Sequence, residues 1–194
     1  MKSSAPSKSS PGRLLAGLAL VAMSCQAAAP DPRQPPASRS LCAAQEQAYF
    51  SCTLRETGKL VSLCAVEEAD GSASRMVYRY GRRGKVELEA PPAEDRSRND
   101  YFRASAYTRA QITRWSVSFR RDGYRYELFD DYDGEGQSPR TDRGLRIWLP
   151  IRSADGQPRI ETLRCMQPDF SRLSRLQSQL PCDEAASLGG CKPK

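Results

Sequence analysis

Cysteine placement constrains this chain more than any other feature. Seven cysteines occur in 194 residues. Cys25 sits in an apolar N-terminal stretch, and the other six form two triplets, Cys42, Cys52, Cys64 and Cys165, Cys182, Cys191. An even set beyond an export-like leader belongs to a chain that oxidises its thiols in pairs outside the cytoplasm. Such a chain can be stapled across its length.

Lys2, Lys8 and Arg13 make a basic leader, residues 14–23 an apolar run, and small residues follow. This is the pattern of a signal peptide over residues 1–27. The apolar run is too short to span a bilayer, and no later stretch is apolar enough to do so. Ala22-Met23-Ser24-Cys25 also resembles a bacterial lipobox, with Ala22 where that motif usually carries leucine, so Cys25 is a candidate for lipidation. Either route removes Cys25 from disulfide pairing. Residues 28–40, with Pro30, Pro32, Pro35 and Pro36, read as a Pro-rich flexible tether. The expected location is periplasmic or secreted, with an outer-membrane lipid anchor only if Cys25 is acylated.

Residues 41–194 are enough for a single domain with its own core. The formal charge of +7 falls to +4 when Lys2, Lys8 and Arg13 leave with the signal. That surplus is weak support for a polyanionic partner, and no nucleic-acid motif accompanies it.

Period-two alternation dominates the middle of the chain, which predicts antiparallel β structure. The clearest element runs from Trp115-Ser116-Val117-Ser118-Phe119 to Tyr124-Arg125-Tyr126-Glu127-Leu128 across Asp122-Gly123. Such a dipeptide suits a two-residue turn whose central positions both need positive φ. That register sets Phe119 opposite Tyr126 and Val117 opposite Leu128. It collects Trp115 and Tyr124 on their face, and Ser118, Arg120, Arg125 and Glu127 on the other. A second hairpin is expected from 49–53 to 60–64, and a third from 77–80 to 85–89. Further strands are expected at 101–108, 144–149 and 159–165. The fold class is therefore mainly β: an antiparallel sheet, sandwich or partly open barrel of about 7–9 strands, disulfide-stapled, with one C-terminal helix. That helix is placed at about 169–180, with Asp169 as N-cap, Leu173, Leu176 and Leu180 at helical spacing, and Pro181 as its stop.

Six cysteines allow fifteen connectivities. An odd loop centred on Gly58 would set Cys52 opposite Cys64, where a bridge can form. With that pair, Cys182–Cys191 would tie a short terminal loop and Cys42–Cys165 would join the first and last strand regions.

Histidine is absent from the chain, so Ser-His-Asp or Cys-His catalysis and a histidine-ligated zinc site are excluded. No Gly-rich phosphate loop precedes a helix, and no cofactor is expected. Carboxylate chemistry remains, with Glu87, Glu89 and Asp95 as readable as surface charges as catalysts. Counted from Asp131, the acidic run places Asp131, Asp133 and Glu135 at positions 1, 3 and 5, Gly136 at 6 and Asp142 at 12. This resembles an EF-hand calcium loop. It departs in carrying Asp at position 12, Pro139 within, and strands on either side, so a solvated acidic loop is the plainer expectation.

The segments Phe50-Ser51-Cys52, Gly58-Lys59-Leu60-Val61-Ser62-Leu63-Cys64, Val77-Tyr78-Arg79-Tyr80-Gly81, Gly123-Tyr124-Arg125-Tyr126 and Leu180-Pro181-Cys182-Asp183 resemble a family of exported, cysteine-containing, β-rich proteins of proteobacteria with no known activity. The resemblance covers most of the mature chain and implies export and disulfides, nothing more. A more distant likeness is to periplasmic lysozyme inhibitors, which are stapled β-barrels; their inhibitory motif is not matched and no residue is carried over. The expected function is that of a noncatalytic envelope or secreted protein, a binding or hydrolase-inhibitor module. Its partner would be a protein or envelope component, presented to loops 93–100 and 130–143. The alternative is a small carboxylate-based hydrolase of envelope glycans.

Overall fold

The computed structural model describes residues 1, 34–96, 99–153, 156–186 and 188. The chain divides into two units, Met1–Pro30 and Asp31–Lys194. Cys25 and, apart from Met1, the segment 1–27 expected to be a signal peptide lie outside the described residues. Every strand of the fold belongs to the second unit.

Nine strands form one open antiparallel sheet: β1 (Gln47–Leu54), β2 (Leu60–Glu67), β3 (Ala73–Arg82), β4 (Lys85–Ala90), β5 (Arg103–Arg109), β6 (Ile112–Arg121), β7 (Tyr124–Asp133), β8 (Arg140–Arg152) and β9 (Pro158–Ser171). Their order is β4-β3-β2-β1-β9-β8-β7-β6-β5. The β6–β7 hairpin forms as its sequence predicts. Asp122 and Gly123 have φ of 51° and 81°, and Phe119 faces Tyr126 while Val117 faces Leu128.

Long β9 organises the rest. Its residues 158–164 pair with β8, and its residues 165–171 pair with β1. One strand therefore serves both halves of the sheet, and the halves face each other across a shared core. Tyr78 of β3 lies with its ring centroid 4.8 Å from that of Phe119 of β6. Phe119 stacks on Tyr126 at 4.9 Å and 8°, with buried Phe102 and partly buried Tyr101 packed into the same group. Such offset and tilted aromatic contacts add to the area that they bury.

Three expectations need correction. First, no α-helix occupies 169–180. β9 continues to Ser171, and only a 3-10 turn follows, Leu173–Leu176. The free edge of β1 claims Phe170 and Ser171 as ladder partners of Ser51 and Phe50. Asp169 therefore caps nothing; it accepts from Arg143 instead. Leu173, Leu176 and Leu180 are buried as their spacing implies, but on a turn.

Second, Cys52 and Cys64 do not pair, and neither do Cys42 and Cys165. The bridges are Cys42–Cys64 and Cys52–Cys165. Thr53 faces Leu60, so the β1–β2 connection is the even loop 54–59, and Cys52 falls opposite Val61. Alternation then turns Cys52 and Cys64 to opposite faces. Cys52 joins the core, where it meets Cys165 from β9. Cys64 points outward beside Ser62, where the N-terminal segment brings Cys42. Cys182 is also disulfide-bonded, while Cys191 lies outside the described residues.

Third, residues 34–40 are not a free tether. The Gln34 side-chain oxygen accepts from the Ala48 amide at 2.8 Å, and the Arg39 carbonyl accepts from Ser51 Oγ at 2.6 Å. Residues 28–33 lie outside the described residues.

The Cys52–Cys165 bridge spans 113 residues and Cys42–Cys64 only 22. Loop-closure entropy then gives about 5 kcal/mol for the longer and about 3.5 kcal/mol for the shorter. Denaturant melts of Cys52→Ala/Cys165→Ala and Cys42→Ala/Cys64→Ala should rank the first pair as the more destabilised, by about 1–2 kcal/mol.

Candidate functional site

The outward face of β5–β9 carries the charge that alternation places there. Along β7 this row is Arg125, Glu127, Phe129, Asp131 and Asp133; β8 opposes it with Trp148, Arg146, Gly144, Asp142 and Arg140. The ladder lets each charge find its opposite. Arg125 Nη2 bonds Glu127 at 2.8 Å, Arg146 Nη1 bonds Glu127 at 2.9 Å, and Arg146 Nη2 bonds Asp131 at 2.5 Å. The Arg125 guanidinium lies 4.3 Å from the Trp148 ring centroid and that of Arg146 lies 3.8 Å from Phe129. Such stacking fixes the plane of each guanidinium as well as its charge. Gly144 makes room for this arrangement, because a Cβ there would collide with the Leu163 carbonyl and the Phe129 ring.

At its upper end this face is covered by the chain's own C-terminal segment. Pro181 and Asp183 exchange backbone hydrogen bonds with Ala104 of β5, so residues 181–183 add a short parallel bridge to that edge. Asp183 then turns in. Its carboxylate accepts from Arg125 Nη2 at 2.7 Å and from Ser118 Oγ. Burial alone would raise this carboxyl, but the Ser118 hydroxyl and the Arg125 guanidinium hold it below its ordinary range. A cavity of about 610 Å³ adjoins the segment, lined by Asp95, Asp100, Arg103, Arg120 and Glu184 among others. The strap already engages Arg125, one of the three arginines that line it.

The lower end has no such cover among the described residues. There Arg114, Asp131, Asp133, Arg140, Thr141, Asp142 and Arg164 line a basin of about 490 Å³. Arg164 Nε bonds Asp142 at 3.1 Å. The other pairs are loose: Arg114 lies 4.0 Å from Asp131 and 3.9 Å from Asp133, and Arg140 lies 3.6 Å from Asp133. Burial raises the Asp131 carboxyl above its ordinary value, against the pull of Arg146 and Arg114; Asp142, opposite it in the ladder, adds to the rise.

The acidic run therefore does not form the loop its spacing suggested. Asp131 and Asp133 belong to β7 and Asp142 to β8, leaving only 134–139 as connection. Their neighbours are arginines. No EF-hand geometry results, because alternate strand residues share one flat face rather than wrap a point. Among the remaining carboxylates, Glu87 pairs with Lys59, Glu89 with Arg79 and Arg96, and Asp95 lines the upper cavity. Cys42, Glu46 and Cys64 lie within ligand distance of one another, but the two sulfurs are joined and hold no metal. Arg114, Arg140, Arg146, Arg164 and Asp183 were not singled out from sequence. The period-two charge pattern of β7 and β8 was visible there, and the strand register that brings the two rows together was not.

No protein-family model, curated protein or solved structure matches this chain.

Because the Asp183 carboxyl is held low in the folded state, its contribution is complete above its ordinary value of 3.8 and is lost as pH falls through the folded value. Asp183→Asn should cost about 2 kcal/mol at neutral pH, as for a hydrogen bond to a charged group. Melting curves of the two proteins should converge on acidification below that range.

Proposed function

We propose that this chain is an exported, noncatalytic binding module, and that the outward face of β6–β9 is its recognition surface. The observation that carries this reading is the lower basin. Each of its carboxylates lies within ion-pairing distance of an arginine on a neighbouring strand. Charges gathered this way on adjacent strands leave donors and acceptors directed into the basin and only partly spent on one another, which is what recognition needs. The Cys52–Cys165 disulfide ties β9 to β1 on the core side of this face, so little order has to be acquired on binding.

One observation favours a second reading, a carboxylate-based glycan hydrolase. Asp131 has a raised carboxyl and faces Asp142 across the β7–β8 ladder. A glycosidase likewise sets two carboxyls about the scissile bond and uses burial to raise one of them.

Incubation of the oxidised protein with peptidoglycan, lysozymes and secreted proteases separates the two. The binding module predicts saturable association with a glycan or an enzyme and unchanged peptidoglycan turbidity. Turbidity loss that disappears in Asp131→Asn would establish the hydrolase in its place.

A further inference from the structure

The basin between β6 and β9 has a composition that selects among ligands. It combines three guanidiniums, Arg114, Arg140 and Arg164, with three carboxylates, Asp131, Asp133 and Asp142, and the Thr141 residue. The two signs balance. A simple anion would satisfy the arginines and be repelled by the aspartates, and a cation would meet the reverse. Any charged newcomer must also compete with the ion pairs already present.

A neutral ligand rich in hydroxyl groups meets neither obstacle. Each guanidinium carries five N–H donors in a fixed fork, and each ionised carboxylate offers about four acceptor sites. The pairs within the basin leave much of this capacity unspent. Arg164 gives one hydrogen bond to Asp142, through Nε. Arg140 approaches Asp133 only at 3.6 Å, with its side chain 78% exposed. Arg114 gives Nη1 to the Tyr132 carbonyl at 3.0 Å and stands near two aspartates without a short contact to either. Vicinal hydroxyls can donate to an aspartate and accept from an arginine at once, completing the network without breaking a pair.

The neighbouring strand carries a ring beside the basin, outside its lining. Tyr107 of β5 is the ladder partner of Arg114, so both side chains rise from the same face. Tyr107 is half-buried, and its flat surface suits the C–H face of a pyranose. The basin volume of about 490 Å³ falls within the usual range for small-ligand sites, about 300–1,000 Å³.

We propose that this basin is a saccharide-binding site, taking a neutral pyranose unit of a glycan between Arg114, Arg140 and Arg164 and the aspartates between them. This rests on the binding-module reading above and names the class of its ligand.

The test is a titration of the isotope-labelled, oxidised protein with triacetylchitotriose, maltotriose and galactotriose, followed by amide chemical shifts. Inorganic phosphate and glycylglycine serve as charged controls. At least one trisaccharide should shift the amides of residues 114, 131–133, 140–142 and 164 saturably, and ahead of both controls. Arg140→Gln, at a mostly exposed side chain that the fold does not need, should weaken that binding about tenfold. Tyr107→Ala should weaken it as well. Shifts with none of the trisaccharides, shifts confined to other residues, earlier saturation by phosphate or glycylglycine, or unchanged affinity in Arg140→Gln would each overturn the site. Tight binding of a protein ligand with no saccharide response would sink the saccharide site while leaving the binding module in place. Cleavage of a bound trisaccharide would do the opposite.

Discussion

The junction of β1 with β9 is the constraint on which the rest of the structure depends. It pairs the first strand of the sheet with the last, and Cys52–Cys165 locks it from the core side. Every other neighbouring pair in the sheet is a sequential hairpin that closes through a local turn. Among the strand pairs β1–β9 is the one long-range closure, and long closures carry the largest loop entropy. Without it the chain would be two separate meanders. With it, β3 and β6 face each other, and Tyr78, Phe119 and Tyr126 form one aromatic core.

On the outside, two terminal segments are held by one device, a buried arginine that meets a carboxylate from the chain end. The N-terminal segment lies on β2 and β3. Arg79 bonds Glu46 at 2.5 and 3.0 Å and the Leu41 carbonyl at 3.2 Å, beside the Cys42–Cys64 bridge. Burial raises the Glu46 carboxyl, but the Arg79 guanidinium and the Ala43 amide more than offset it, so this group too is held low. The C-terminal segment lies against β5 and β6, with Arg125 and Asp183 in the corresponding parts. Buried pairs of this kind contribute little net stability against an apolar alternative, but removal of one partner is costly, so they fix where a segment lies. The one segment covers outward residues of β2 and β3 and the other the Arg125 end of the β5–β9 face, and the Arg114–Arg164 basin has no strap among the described residues. Among the described residues, the candidate site is a part of the face that neither terminal segment covers.

Much of the fold was legible where local chemistry and tertiary structure agree. Asp122-Gly123 set both the turn and the register of β6 and β7, and with them the inward and outward sets of side chains. Legibility ended where a distant partner decided. Leu173, Leu176 and Leu180 have helical spacing, and only the unfilled edge of β1 explains why Phe170 and Ser171 are strand instead. Cys52 and Cys64 were separated by the parity of a single loop, which Gly58 alone does not determine. The candidate site was the least legible part. Asp131, Asp133 and Asp142 stood out as a run, yet their partners Arg114, Arg146 and Arg164 come from three different strands, and no spacing within the run announces them.

The most direct measurement is peptide mapping of the oxidised protein by mass spectrometry without reduction. It should recover Cys42 linked to Cys64 and Cys52 linked to Cys165, the two bridges that the β1–β2 register and the β1–β9 closure require. A peptide joining Cys52 to Cys64, or free thiols at Cys52 and Cys165, would contradict both the register and the closure of the sheet.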